Sequence, residues 1–122
     1  MKIPRNNYIC IVNIKCMQSK ETVIYRLRNL AKSILPKDGH VYLYGSRARN
    51  EAQCDSDWDI LIILNKKKIE QKDYDEISFP ITSLGWDLGE MIIPVIYTQE
   101  EWNRYSFSPF YKNVEKEKIK IA

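Results

Sequence analysis

Two short polar segments carry the residue types best suited to chemistry in this chain of 122 residues. The first is Gly45-Ser46-Arg47, and the second ends with Asp57 and Asp59. Side chains of an extended strand alternate between its two faces, so both aspartates are expected to project on the same side. Two like charges held close together repel each other, and a divalent cation with a preference for oxygen ligands relieves that repulsion. Asp57 and Asp59 are therefore predicted to hold Mg²⁺.

The turn at Gly45 and Ser46 offers groups that suit phosphate. Glycine lets the backbone turn sharply and approach a ligand closely. The amides of such a turn and the Ser46 hydroxyl can donate to phosphate oxygens, and the planar guanidinium of Arg47 can donate two parallel hydrogen bonds. Gly45, Ser46 and Arg47 are thus the predicted nucleotide-binding residues, and Asp57 and Asp59 are the predicted catalytic residues. This combination is typical of phosphoryl or nucleotidyl transfer.

Each of these features has an ordinary explanation when it stands alone. An Asp-x-Asp pair is commonly part of a solvated turn, and Gly-Ser after a strand is commonly no more than a turn. The combination is more informative, because Asp59 leads directly into the apolar residues 60–64. An unpaired carboxylate at the start of a core strand is costly, which favours a functional role for the pair.

A helix and a boundary come before these segments. Ser19 can cap a helix, and apolar side chains then recur at helical spacing as far as Leu35. Residues 1–16 differ in pattern from the rest of the chain, and no hairpin partner for them is evident. They are predicted to form an N-terminal extension, and residues 17–122 are predicted to form the folded domain.

Three strands and two further helices are predicted downstream, the second of them a short helix that Thr98 caps and that begins Gln-Glu-Glu-Trp. Residues 41–44 and 58–64 are rich in β-branched, aromatic and aliphatic side chains, and the second run is apolar enough to lie in the centre of a sheet. Residues 69–84 predict a helix that Pro80 should break or kink. Residues 91–97 predict a third strand, and a proline within it favours an edge position or a bulge.

Composition excludes several classes of protein. The chain is 44% hydrophobic and 29% charged with a net charge of +3, which is typical of a soluble globular domain and suits an anionic ligand. This charge gives no strong nucleic-acid signal. The apolar run near the N-terminus is too short and too polar for a signal peptide or a membrane span. Three cysteines without CxxC spacing favour unpaired thiols and a cytoplasmic location, and the alternating Lys and Glu of residues 112–120 predict a solvated end.

The motif residues resemble those of a known family. The string Tyr-Gly-Ser-Arg-Ala-Arg at 44–49, with Ser-Asp-Trp-Asp-Ile-Leu-Ile at 56–62, is similar to the signature of the minimal nucleotidyltransferases of the DNA polymerase β-like superfamily. Ten residues separate the Gly-Ser and Asp-x-Asp halves, as in that family. The match covers roughly residues 17–107. The resemblance implies an α+β (α/β) fold, a small mixed β-sheet flanked by helices, with the active site at the exposed end of the sheet. It also implies Mg²⁺-dependent transfer of a nucleoside monophosphate, AMP from ATP being expected.

One position departs from the family pattern. Active members resembling this chain carry a third carboxylate on a later strand, where it serves as metal ligand or base. Residues 91–97 contain no Asp or Glu. Glu90 is the nearest substitute and Asp87 a poorer one. Either Glu90 completes the site, or Glu90 is a solvated connector and the site binds nucleotide without turnover.

The resemblance also implies a partner. Small stand-alone members are similar to the antitoxins of toxin–antitoxin systems in which the nucleotidyltransferase binds and adenylylates an all-helical HEPN toxin. The predicted domain has no room for the helical domain by which other relatives hold their acceptors. A HEPN-type partner protein is therefore the expected acceptor. The alternative is a catalytically degenerate nucleotide-binding or antitoxin-like module that binds a partner without chemistry.

Overall fold

The computed structural model describes residues 19–122, so the predicted N-terminal extension 1–16 lies outside the described part of the chain. The helical segments are α1 (Lys20–Ile34), α2 (Ser46–Arg49), α3 (Gln71–Asp73), a π-helical turn (Tyr74–Ser78), α4 (Phe79–Leu88), α5 (Gln99–Arg104) and α6 (Pro109–Glu117). The strands are β1 (His40–Tyr44), β2 (Trp58–Leu64), β3 (Ile92–Thr98) and β4 (Ile119–Lys120).

The four strands form one mixed sheet in the order β3-β2-β1-β4. Strand β1 is antiparallel to both of its neighbours, β2 and β4, whereas β2 and β3 run parallel. The expected α+β fold with a small mixed sheet flanked by helices is therefore confirmed. Strand β3 lies at an edge, which is where a strand tolerates Pro94 because the missing amide breaks no ladder hydrogen bond.

Strand β2 is apolar from Ile60 to Leu64 because both of its faces are covered there. On one face its even-numbered residues pack in a core with side chains of α1 and α4, among them Leu27 and Ile81. On the other face Leu61 and Ile63 pack against Trp102 of α5 and Val114 of α6. Asp59 therefore lies on the α5–α6 side of the sheet, at the end of β2 where that second core stops.

Helix α1 begins where its sequence predicts. The Ser19 hydroxyl accepts the Thr22 amide at 3.0 Å, which satisfies one of the free donors of the first turn. Val23, Leu27 and Ala31 recur at helical spacing and are fully buried against the sheet. This helix backs the face of β2 opposite to Asp59.

The helical segment before β3 is longer than expected. Residues 71–88 are helical throughout, and Pro80 falls two residues after the π-helical turn instead of ending the helix. Proline has no N–H to donate to the preceding turn, so a regular α-helix would leave one carbonyl of that turn without its donor. The π-helical turn just before Pro80 changes the hydrogen-bonding pattern at this point. The expected break is thus replaced by a π-helical turn.

The expectation of a solvated C-terminal end is wrong. Residues 109–120 form α6 and β4, and Val114 and Ile121 are almost completely buried. The charges alternate along the sequence, but the apolar residues between them pack against the sheet. Strand β4 pairs with β1 and brings the end of α6 close to the end of β1.

The expectations about a membrane span and about the cysteines can be compared with the structure of residues 19–122. Within that range no helix is both long enough and apolar enough to cross a membrane. Cys54 is disulfide-bonded, so the expectation that all three cysteines are unpaired thiols is wrong. A disulfide depends on how close two backbones approach in space, which the spacing of cysteines along a sequence does not show.

Candidate active site

The turn at Gly45 lies against the carboxylate of Asp59. Strand β1 ends at Tyr44, and Gly45 follows with φ of +78°, a conformation that side-chain-bearing residues rarely adopt. Its carbonyl accepts the amides of Ala48 and Arg49 at 3.0 and 3.1 Å and so starts α2. A Cβ atom at this position would overlap Oδ2 of Asp59. Glycine is therefore required both by the turn and by the close approach of the carboxylate.

The two predicted catalytic carboxylates act on each other. Asp59 pairs with Tyr44 of β1, and the exposed Asp57 lies two residues before it, immediately ahead of β2. Burial raises the pKa of Asp59, and the negative charges of Asp57 and Glu117 raise it further, while Arg49 opposes them. The structure thus places Asp59 against Gly45 and within electrostatic reach of Asp57. A cation beside the pair would offset the repulsion between the carboxylates.

The oxygen ligands predicted for the site fit Mg²⁺, but they are only two carboxylates. Magnesium is commonly held by one or two carboxylates and completed by substrate phosphates and water, and Asp57 and Asp59 supply two carboxylates. Among residues 19–122 no group of three or more His, Cys, Asp or Glu side chains is arranged to hold a metal. A nucleotide would have to complete the coordination of any metal bound by the aspartates.

A carboxylate is absent from the strand where the family pattern places one. Strand β3 runs beside β2 with Ile93 opposite Asp59. Ile93 is 39% exposed, so it stands at the surface beside the aspartate rather than in the core. The departure noted in the sequence therefore falls directly beside Asp59.

Arg47, predicted to bind nucleotide, is held by protein groups. Its Nη2 donates to the carbonyls of Ser56 at 2.9 Å and Cys54 at 3.4 Å, and its Nε donates to Ser56. Its guanidinium also stacks over Trp58, 4.4 Å from the ring centroid. These contacts fasten the segment that leads to Asp57. The structure gives Arg47 a role in positioning that segment, and its contact with phosphate stays a prediction, as does that of Ser46 at the start of α2.

Glu90 lies on the other face of the sheet from Asp59. Its carboxylate is buried and accepts the indole N–H of Trp58 at 2.8 Å, and it forms an ion pair with Arg47 at 3.6 Å. Glu90 and Asp57 do line a common small cavity, but they do not belong to a three-ligand cluster in the described chain. The expectation of a solvated connector is wrong, because Glu90 is a buried acceptor that holds Trp58. Its service as a third metal ligand stays a prediction.

Replacement of Glu90 by alanine should therefore cost stability more than catalysis. The change leaves a buried indole N–H without its acceptor, which typically costs about 1–3 kcal/mol. We expect a lower midpoint of urea unfolding and a small change in transfer rate per folded molecule. Glu90→Gln is the matched control, since its amide oxygen still accepts from Trp58. A large loss of transfer by a stably folded Glu90→Gln protein would contradict this assignment.

Glu117 is a site residue that the sequence did not reveal. Its Oε2 accepts the Gly45 amide at 2.5 Å, and its Oε1 accepts from Nη1 of Arg49 at 2.9 Å. Burial and the charges of Asp59 and Glu117, among others, raise the pKa of Tyr44 to about 12, which keeps that phenol protonated. The only local signal was the Ile119-x-Ile121 alternation, which is typical of a strand and would have placed Glu117 beside the sheet.

Comparison with known proteins agrees with this geometry. The family model described as nucleotidyltransferase domain matches residues 24–121. No curated protein matches the chain at a significant level. Among solved structures, the chain superposes on one described as a toxin-antitoxin with AMP-PNP with a TM-score of 0.58 and 16% identity, over 81% of this chain and 72% of that one. A candidate nucleotidyltransferase from Sulfolobus solfataricus gives a TM-score of 0.41 and 20% identity, over 85% of this chain and 89% of that one. Because the family model spans most of the chain, including every residue of the site built above, the protein belongs to the nucleotidyltransferase domain family.

Proposed function

We propose that this protein is a Mg²⁺-dependent nucleotidyltransferase that moves AMP from ATP to an acceptor. The contact between the Gly45 turn and Asp59 is the observation that carries the proposal. It places a turn able to donate to phosphate against one member of a carboxylate pair, in a chain of the nucleotidyltransferase family. Burial, and then the charges of Asp57 and Glu117, raise the pKa of Asp59, so an ionised Asp59 costs stability in the absence of a cation.

Each residue then has a defined task. Asp57 and Asp59 hold Mg²⁺, which supplies charge stabilisation at the phosphates when bound. The Gly45 amide and the Ser46 hydroxyl orient the triphosphate. Arg47 keeps the segment before Asp57 in place through Ser56 and Cys54, so that the two carboxylates stay on one side of β2.

The acceptor in this proposal is a HEPN-type toxin partner. The fold match to a toxin-antitoxin structure solved with AMP-PNP supports a partner protein. Residues 19–122 form one sheet with its covering helices, so in this proposal the acceptor group is carried by the partner protein.

A second function is favoured by one observation. Ile93 stands beside Asp59 where active relatives are expected to have a third carboxylate, and β3 contains no Asp or Glu. Under this alternative the protein binds nucleotide and a partner without turnover. The two functions differ in whether label moves from ATP to protein.

The test is transfer of label from ATP carrying a radioactive α-phosphate. The protein is incubated with Mg²⁺ and a co-purified HEPN-type partner, and the partner is analysed by electrophoresis. We expect label on the partner with the wild-type protein and none with the Asp59→Asn variant. Nucleotide binding by calorimetry without any transfer of label would favour the binding module, and absence of both would overturn the proposed function.

A further inference from the structure

We infer that Glu117 competes with the nucleotide for the Gly45 turn and thereby sets the affinity of the site for triphosphate. This inference rests on the proposed function. The carboxylate occupies the Gly45 amide with one oxygen and the Arg49 guanidinium with the other. These are the same kinds of donor that a phosphate would engage with two of its oxygens. Phosphate and Glu117 cannot both use the Gly45 amide.

The fold explains how Glu117 reaches this turn. In the antiparallel pairing of β1 with β4, Tyr42 faces Lys120 and Leu43 faces Ile119. Glu117 is the last residue of α6 and lies two residues before Ile119, so the pairing of β4 with β1 brings it to the Gly45 turn at the end of β1. Its side chain is only 16% exposed, which leaves it little freedom to lie elsewhere while α6 is docked.

Two terms oppose the placement of a charged Glu117 at this position. It is the last residue of α6, where the helix dipole disfavours a negative charge. It also adds negative charge beside Asp59, whose pKa is raised by burial, by Asp57 and by Glu117. The helix dipole and the charge of Asp59 both disfavour this carboxylate, and its contacts with Gly45 and Arg49 hold it in place.

Glu117 is also not arranged as a third metal ligand. No three-ligand cluster that includes it is present in residues 19–122. Both carboxylate oxygens of Glu117 accept hydrogen bonds from N–H groups. N–H donors surround a bound anion in this way, whereas a metal ligand would turn its oxygens toward a cation. The Glu117 carboxylate thus acts as an internal anion, and triphosphate binds to the fraction of molecules in which Glu117 has withdrawn. The apparent affinity is reduced by that fraction.

The variants separate competition from a structural role. Glu117→Gln removes the charge with little change of shape, and Glu117→Ala removes the contact altogether. The matched control is Glu51→Gln, because Glu51 pairs with the same guanidinium of Arg49 at 2.8 Å but does not touch Gly45. Thermal unfolding of each purified variant establishes that it is folded before binding is measured.

The measurement is binding of magnesium α,β-methylene ATP by calorimetry and by stopped-flow. We expect both Glu117 variants to bind about tenfold more tightly or better than wild type, since they no longer give up a charge-assisted hydrogen bond. The gain should lie in the association rate constant with the dissociation rate constant unchanged, and Glu51→Gln should stay within about twofold of wild type. A merely structural role for Glu117 would not raise the association rate constant.

Two results would overturn the inference, and they are distinguishable. If wild type binds the nucleotide and Asp59→Asn does not, but the Glu117 variants bind no more tightly than wild type, then competition by Glu117 is wrong and the proposed function stands. If neither wild type nor any variant binds the nucleotide, both proposals fall.

Discussion

Replacing Asp59 by asparagine is expected to lower nucleotidyl transfer by about 10³-fold or more, because the loss of charge stabilisation at a metal site is worth several kcal/mol. Asp59 is the carboxylate that the Gly45 turn contacts, so its charge is lost where the triphosphate would lie. The measurement is the initial rate of α-phosphate label transfer at saturating ATP and Mg²⁺. Asp55→Asn is the control, since Asp55 is an exposed carboxylate in the same segment. A transfer rate of Asp59→Asn close to that of wild type would contradict the proposed site.

The same variant is expected to be more stable than wild type when metal is absent. Burial first, and then Asp57, raise the pKa of Asp59 in the folded protein. A group with a raised folded-state pKa favours folding while it is protonated, and that contribution is lost as pH rises through the folded-state pKa. At neutral pH the wild type carries this cost and the asparagine variant does not. Thermal unfolding in chelator at pH 7.5 should show the higher midpoint for Asp59→Asn, and the difference should shrink toward acidic pH.

Replacement of Gly45 by alanine is expected to eliminate measurable triphosphate binding. The backbone at this position has φ of +78° and ψ of −161°, a region essentially restricted to glycine, and strain of this kind costs a residue with a Cβ about 1–3 kcal/mol. The new Cβ would also overlap Oδ2 of Asp59 and approach its Cγ to 3.2 Å, so the carboxylate must move out of place. The turn and the metal-binding pair are thus disturbed by one methyl group. Calorimetry with magnesium α,β-methylene ATP measures the loss.

Gly89→Ala is a control for placing a side chain at a positive φ. Gly89 has φ of +71° and ψ of 27°, and no atom lies within 4 Å of the position that a Cβ would take there, so only the modest strain of the left-handed region is introduced. Gly45→Ala should lose more stability than Gly89→Ala, and only Gly45→Ala should lose nucleotide binding. Equal nucleotide affinity in the two variants would show that Gly45 is no more than a turn.

The sequence by itself determined the elements whose signals are local. Ser19 and the apolar spacing after it predicted α1, and the uninterrupted apolar run of residues 60–64 predicted a strand covered on both faces. The period of two within a strand placed Asp57 and Asp59 together, and the spacing from Gly45 gave the resemblance to the family that the family model confirms. These inferences succeed because hydrogen bonding and side-chain direction within one helix or strand depend on neighbours in sequence.

Only the tertiary structure decided which charged groups meet. Glu90 looked like the missing carboxylate because it lies next to β3 in sequence, yet the chain turns it toward Trp58 on the opposite face. Arg47 was predicted to contact phosphate, which stays a prediction, and the structure shows that its Nη2 donates to the carbonyls of Ser56 and Cys54. Glu117 looked solvated, yet it meets Gly45, which is 72 positions away in the chain. The physical reason is that an ion pair or a side-chain hydrogen bond depends on the distance between two atoms, and for residues far apart in sequence that distance is set by the pairing of strands and the docking of helices.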